Sequence, residues 1–95
     1  MLFKMSELID ACFDNNNTEV ALNLIENKAN IDLQDNNGWT ALMWSCYYNN
    51  TEIALKLIEN KANIDLQDED GWTALMFSCK ENNTEIFSYI LEYLN

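Results

Sequence analysis

Apolar residues occur at helical spacing in the second half of the chain. Four of them lie at i, i+1, i+4 and i+5 and share one stripe of a helix: Ile53, Ala54, Leu57 and Ile58. Glu52, Lys56 and Glu59 fall on the other faces of that helix. The spacing predicts an amphipathic helix whose apolar stripe is buried against a neighbouring element.

The same pattern returns with a period of 33 residues. DNNGWTALMWSC at 35–46 recurs as DEDGWTALMFSC at 68–79, and LIENKANIDLQD at 24–35 recurs at 57–68. A weaker first copy is offset by 34 until the Asn run 15–17, which therefore contains one extra Asn. Because insertions are tolerated where a chain turns, we expect a surface turn at this run.

Each copy carries the local signals of turn, helix, turn, helix. Asp35 and Gly38 occupy the first and fourth places of a type I turn, and Thr40 is an N-cap before a short helix. Asn49 is expected to end that helix in the left-handed conformation, and Asn50 to cap the next one. One copy cannot bury its own apolar stripe, so neighbouring copies are expected to stack.

These motifs resemble those of ankyrin-repeat proteins, whose unit of 33 residues begins D-x-x-G-x-T-P-L-H. Asp35, Gly38, Thr40 and Leu42 match this pattern, as do their equivalents 33 residues later, and ANID at 62–65 is similar to the family's A-D-V-N ending. The resemblance implies an all-α ankyrin-repeat solenoid, in which helix-turn-helix units are joined by short β-hairpin-like turns.

The resemblance also implies how the chain is divided. We expect a single domain, 1–95, with an N-terminal capping repeat at 1–34, a central repeat at 35–67 and a C-terminal capping repeat at 68–95.

Several positions depart from the family pattern. Its Pro is replaced by Ala41 and its His by Met43, and the Gly before the A-D-V-N ending is Lys28 in one copy and Lys61 in the next. We expect both Lys residues to take a left-handed conformation, and the array to be looser than the family's best cases.

Charge excludes several classes of function. The chain has 16 acidic residues against five Lys, a net charge of −11, and neither Arg nor His. Direct nucleic-acid binding is not expected, since phosphates require clustered cations. No acid–base pair, metal set or phosphate loop can be assembled, so we predict a protein that is not an enzyme and has no cofactor. The first residues lack the long apolar run of a signal peptide or membrane span, which predicts a cytoplasmic protein; the nucleus or a host cell interior stays open.

Three Cys residues recur once per copy: Cys12, Cys46 and Cys79. Stacked helices lie about 8–10 Å apart, which is too far for a disulfide. We therefore expect small buried residues at all three positions. Met43 and Met76, with Trp44 and Phe77, are likewise assigned to the core.

The candidate binding residues lie in the turns and at the end of the short helices. Trp39 and Trp72 follow the turn glycines and are predicted to contact a partner, with shielding of the hairpin as the alternative. Tyr47 and Tyr48 are replaced in the other copies, and the resemblance places them on the concave side. The predicted patch consists of Asn36, Asn37, Trp39, Tyr47, Tyr48, Glu69, Asp70, Trp72, Lys80 and Glu81.

The last helix is more apolar than its central counterpart, since Phe87, Tyr89, Tyr93 and Leu94 replace smaller or polar residues. It is expected to fold over itself as a cap, with a second interface as the alternative. A monomer is therefore expected, and a homodimer through this helix is the other possibility.

Three functions are consistent with these features. The first is a module that binds another protein through its hairpin tips and concave helical face. The second is an acidic decoy that occupies a basic groove meant for nucleic acid. The third is a purely structural repeat, natural or engineered, without a partner of its own.

Overall fold

The computed structural model describes residues 7–13 and 17–94. Within these residues there are six helices and no strand: α1 (Glu7–Ala11), α2 (Thr18–Glu26), α3 (Ala41–Tyr47), α4 (Thr51–Glu59), α5 (Ala74–Lys80) and α6 (Thr84–Leu94). The all-α class is confirmed. The predicted extra Asn falls in the run 15–17, most of which lies outside the described residues.

The helices form three antiparallel pairs that stack side by side. α1 packs on α2, α3 on α4 and α5 on α6, while α3 also contacts α1 and α5, and α4 contacts α2 and α6. The odd-numbered helices thus form one layer and the even-numbered helices the other, in a body that measures 41 × 28 × 22 Å. Each pair supplies a wall of the next one's core, as the repeated stripe predicts.

The apolar stripe of the central repeat lies at the centre of this core. Its four predicted members, all of them on α4, are completely shielded from solvent: Ile53, Ala54, Leu57 and Ile58. At the ends of the stack, side chains on the equivalent helices are exposed, Val20 on α2 and Leu91 on α6. Burial of this stripe therefore depends on having a helix pair on both sides.

Side chains predicted as caps occupy those positions. Thr40 Oγ1 accepts a hydrogen bond from the Met43 amide at 3.2 Å, and Asn50 Oδ1 accepts one from the Ile53 amide at 3.2 Å. Asn49 and Lys61 have the predicted left-handed backbone, with φ of 58° and 69°.

The Asn caps also link neighbouring helix pairs. Asn50 Nδ2 donates to Thr18 Oγ1 at 2.9 Å, and one unit later Asn83 Nδ2 donates to Thr51 Oγ1 at 3.0 Å. One amide thus caps its own helix through its oxygen and joins the preceding pair through its nitrogen. The first of these roles is predicted by the sequence, and the second is not.

Two residues assigned to the core prove to be exposed. Met43 is 1% exposed, whereas Met76, at the same place one unit later, is 46% exposed. Cys12 and Cys46 are buried as expected, but Cys79 is exposed. The prediction was wrong for Met76 and Cys79 because they lie on the side of α5 that faces away from the preceding pair, where no further helix of the described chain covers them.

Burial also changes the thiol chemistry of the two inner Cys residues. It raises the pKa of Cys12 to about 11 and that of Cys46 to about 12, because a thiolate is poorly solvated in an apolar interior. Both thiols therefore stay protonated and inert at neutral pH.

The last helix does not fold over itself as a cap. Leu91, Tyr93 and Leu94 are all exposed on α6. Tyr89 is half-buried, and its hydroxyl donates to Glu59 Oε2 at 3.3 Å. The expectation of a self-folded cap was wrong because α6 is one continuous helix, and its outer face has no element of the described chain to pack against.

A ribbon of aromatic rings as the candidate binding site

Seven aromatic side chains form an unbroken series of ring contacts along the odd-numbered helices and the hairpins that precede α3 and α5. We call this series the aromatic ribbon. Its members are Phe13, Trp39, Trp44, Tyr47, Tyr48, Trp72 and Phe77. The ribbon crosses all three helix pairs, so it is a property of the stack and not of one unit.

Trp39 is the centre of the ribbon. Its ring centroid lies 4.3 Å from that of Trp44 in the same unit and 4.4 Å from that of Phe77 in the next unit. Phe13 continues the series on one side, 4.6 Å from Trp44, and Trp72 on the other, 5.0 Å from Phe77. Trp39 therefore joins two helix pairs while it stays partly exposed to solvent.

Three rings at the end of α3 present different orientations. Trp44 and Tyr48 are nearly parallel, at 16°, with centroids 6.0 Å apart. Tyr47 stands nearly perpendicular to both, at 88° to Trp44 and 83° to Tyr48. Such a cluster offers ring faces and ring edges within one small area, which suits a cationic or an apolar side chain of a partner.

Asp35 holds the hairpin and the ribbon in register. Its Oδ1 accepts hydrogen bonds from the amides of Asn37, at 3.0 Å, and Trp39, at 2.9 Å. Its Oδ2 accepts one from the indole Nε1 of Trp44, at 2.9 Å. The carboxylate therefore fixes the turn and the ring of Trp44 together.

Sequence reasoning missed Trp44 as a site residue by assigning it to the core. The indole is only half-buried and lies in the ribbon. A signal was present: the next copy has Phe77 at this position, and an indole N–H requires an acceptor that a phenyl ring does not. Phe77 itself is buried, as predicted, and still takes part in the ribbon.

We expect the bond between Asp35 and Trp44 to be measurable as a coupling energy. Trp44→Phe should lower the free energy of unfolding by about 1–2 kcal/mol in the native chain, since it removes a partly buried bond to a carboxylate. In an Asp35→Ala background the same change should cost about 1 kcal/mol less, because the acceptor is already gone. Chemical denaturation of the four chains measures the difference, and strict additivity would contradict the assignment.

The structure brings the aromatic members of the predicted patch together. Trp39, Tyr47 and Tyr48 lie in one cluster with Trp44, and Trp72 is joined to them through Phe77. Tyr47 and the added member Phe13 are exposed, whereas Trp39, Tyr48 and Trp72 are half-buried.

The polar members of the patch flank the ribbon on the same elements. Asn36, Asn37, Glu69 and Asp70 are exposed at the hairpin tips, and exposed Lys80 and half-buried Glu81 lie at the end of α5. Asn37 also links the two hairpin tips, because its carbonyl accepts a hydrogen bond from the Glu69 amide at 3.0 Å. Carboxylates thus predominate along the edge of the ribbon.

A concave region lies between α2 and α4, on the layer opposite the ribbon. Its volume is about 440 Å³, and four carboxylates line it: Glu19, Glu26, Glu52 and Glu59. Glu26 pairs with Lys56 at 3.4 Å, an exposed contact that contributes little to stability. Across the described residues, no group of three or more Asp, Glu, Cys or His side chains is placed to hold a metal ion.

Comparison with known proteins identifies the repeat. The family model for ankyrin repeats, in three copies, matches residues 8–95. No curated protein sequence matches the chain closely enough to count as a relative. None of the described helices has the length and apolar character needed to cross a membrane. With three copies over nearly its whole length, the chain belongs to the ankyrin-repeat family, whose members are generally protein–protein interaction modules.

Proposed function

We propose that this chain binds a partner protein along the aromatic ribbon and the adjoining hairpin tips, on the concave face of the repeat. The observation that carries the proposal is the continuous series of rings across three helix pairs, with Phe13 and Tyr47 exposed at its surface. Aromatic side chains in such clusters supply most of the energy of protein interfaces. Ankyrin repeats are typically non-enzymatic, and the proposed role requires no catalysis.

The partner segment is proposed to be basic and partly apolar. Asp35, Glu69, Asp70 and Glu81 surround the ribbon, and the chain as a whole has a net charge of −11. A Lys or Arg side chain can therefore lie on a ring face while its charge is attracted by nearby carboxylates. Apolar side chains of the same segment would fill the spaces between the rings.

Sequence differences between the units support this location. The place of Tyr47 on α3 is taken by Phe13 in the first unit and by Lys80 in the third. The residues that pack between helix pairs change much less, as Ile53 and Ile86 illustrate. Positions that vary while the scaffold persists are those free to recognise a ligand.

Tryptophan fluorescence gives a direct assay of this site. The chain has three Trp residues, and all of them belong to the ribbon: Trp39, Trp44 and Trp72. We expect a peptide of alternating Arg and Leu to change the tryptophan emission of the chain, because all three indoles lie in the ribbon. A peptide with Glu in place of Arg should leave the emission unchanged. Equal responses to both peptides would contradict the proposed charge preference.

Tyr47→Ala is the matching substitution. It should weaken binding of the basic peptide by about 2 kcal/mol, roughly 30-fold, because it removes an exposed ring of the ribbon. Tyr93→Ala is the control, since Tyr93 is exposed to a similar extent, 45% against 39%, but lies on α6 away from the ribbon. Both changes should lower the melting temperature by a similar, small amount, because each removes a partly exposed ring with ring contacts of its own. Equal affinities of the Tyr47→Ala and native chains would refute the site.

Salt dependence distinguishes the proposal from the acidic decoy. In high salt a complex anchored by rings should lose only the part of its affinity that the Lys or Arg charges supply, whereas a complex held by exposed charges alone weakens steeply once the screening length falls to about 3 Å at 1 M salt. A steep loss, together with no effect of Tyr47→Ala, would favour the decoy. If the chain bound no basic segment at all, the remaining function would be that of a purely structural repeat without a partner.

A further inference from the structure

The last helix pair leaves uncovered a surface that the central pair buries. Met43, 1% exposed, and Ile58, fully buried, are covered by α5 and α6. At the same places in the last pair, Met76 is 46% and Leu91 40% exposed. We call this surface the C-terminal face, and define it as Met76, Cys79, Phe87, Leu91 and Leu94.

The C-terminal face is larger and more apolar than its central equivalent. Phe87 stands in place of Ala54, and Leu94 in place of Lys61. α6 has 11 residues against nine in α4, and this extension brings Leu94 onto the stripe of Phe87 and Leu91. A depression of about 170 Å³ lies on the same face, lined in part by Cys79 and Phe87, with room for an apolar side chain.

The stacking of the chain shows what chemistry covers such a surface. Twice within the molecule the equivalent side chains are covered by the opposite side of the following helix pair, so the cover that such a surface takes is an apolar pair of helices. A second copy of the chain can supply that cover without bringing a carboxylate into the contact, since all five members of the face are uncharged. The opposite end of the stack differs, because Glu7 and Asp10 flank the exposed Val20 there.

We propose that two copies of this chain associate through their C-terminal faces, so that α5 and α6 of one copy pack on α5 and α6 of the other. The contact is isologous and closes at a dimer, since each copy uses the same surface. It leaves the aromatic ribbon of both copies open, and it does not depend on the function proposed above. Charge elsewhere on the two chains opposes association, so salt strengthens this dimer.

Sedimentation equilibrium tests the dimer with two matched variants. The native chain of 11.1 kDa should double in mass as its concentration rises, and more readily at high salt. Leu91→Lys should remain a monomer because it places an ammonium group in an apolar contact. Glu92→Lys, at the neighbouring exposed position, should still dimerise. Its dimer should be tighter than that of the native chain, because the substitution makes the net charge less negative. Circular dichroism checks the fold, and Met76→Lys on α5 serves the same purpose if Leu91→Lys is unfolded.

Alkylation of Cys79 locates the contact. Cys12 and Cys46 are buried, so the rapid reaction with a thiol reagent reports on Cys79 alone. Cys79 should lose reactivity as the native chain dimerises, and keep it in Leu91→Lys. A chain that stays monomeric at high concentration overturns the proposal. So does a dimer that leaves Cys79 reactive, which would use another surface, and so does growth beyond a dimer, which would indicate head-to-tail stacking.

Discussion

Replacing Ile58 with Ala will lower the free energy of unfolding by about 2–5 kcal/mol, the range for removing a large aliphatic side chain from a filled core. Ile58 is fully buried between α4 and the neighbouring helix pairs. Surrounding side chains cannot collapse into the cavity, because the helices on both sides are held by their own contacts. In a chain of 95 residues this loss is a large part of the total stability.

The matched control for this result is Leu91→Ala at the same position one unit later. Leu91 is substantially exposed, so its truncation should cost about 1 kcal/mol or less. Urea denaturation at low protein concentration, which disfavours the proposed dimer, measures both values. Equal losses at the two positions would show that α6 is covered in solution by something other than a second copy, and would contradict the stacking of three helix pairs with one open end.

Gly38→Ala will destabilise the chain by about 2–5 kcal/mol, for two separate reasons. Gly38 has φ of +83°, where a side chain costs about 1–2 kcal/mol. A Cβ at this position would also lie 2.9 Å from Asp68 Cα and 2.9 Å from the Glu69 amide nitrogen, so the next hairpin must move. Displacing packed backbone costs a further 1–3 kcal/mol or so.

Gly71→Ala separates these two costs. Gly71 has nearly the same backbone, with φ of +84°, but a Cβ there meets nothing within 4 Å. We therefore expect about 1–2 kcal/mol for Gly71→Ala, the conformational cost alone. The Glu69 amide gives a local readout, since its hydrogen bond to Asn37 should exchange faster in Gly38→Ala and not in Gly71→Ala. Identical stabilities of the two variants would mean that successive hairpins are not in contact.

The two glycines illustrate how far sequence reasoning extends. Both were assigned to the fourth place of a type I turn, and both have that hydrogen bond: the Gly38 amide donates to the Asp35 carbonyl at 2.9 Å and the Gly71 amide to the Asp68 carbonyl at 3.0 Å. Nothing in the repeated tetrapeptides indicates that the first turn touches the second. That contact exists because stacking brings one hairpin against the next.

The candidate site shows the same division. Trp39 was selected because it follows a turn glycine, and Tyr47 and Tyr48 because the other copies differ there. Their union with Trp44 and Phe77 was not foreseen, since ring contacts between units depend on the angle and spacing of the stack. The ribbon as a binding site remains a proposal, which the Tyr47 and Tyr93 variants test.

By itself the sequence determined the repeat, the six helices, the caps Thr40 and Asn50, and the left-handed residues Asn49 and Lys61. These features depend on residues within a few positions of one another, where steric limits and hydrogen-bonding groups act regardless of the rest of the chain. Only the tertiary structure decided which copies of a repeated side chain are covered, as Met43 and Met76 show. A side chain is buried only where helix pairs lie on both sides of it. Identical sequence segments therefore differ in burial between the middle and the end of a stack.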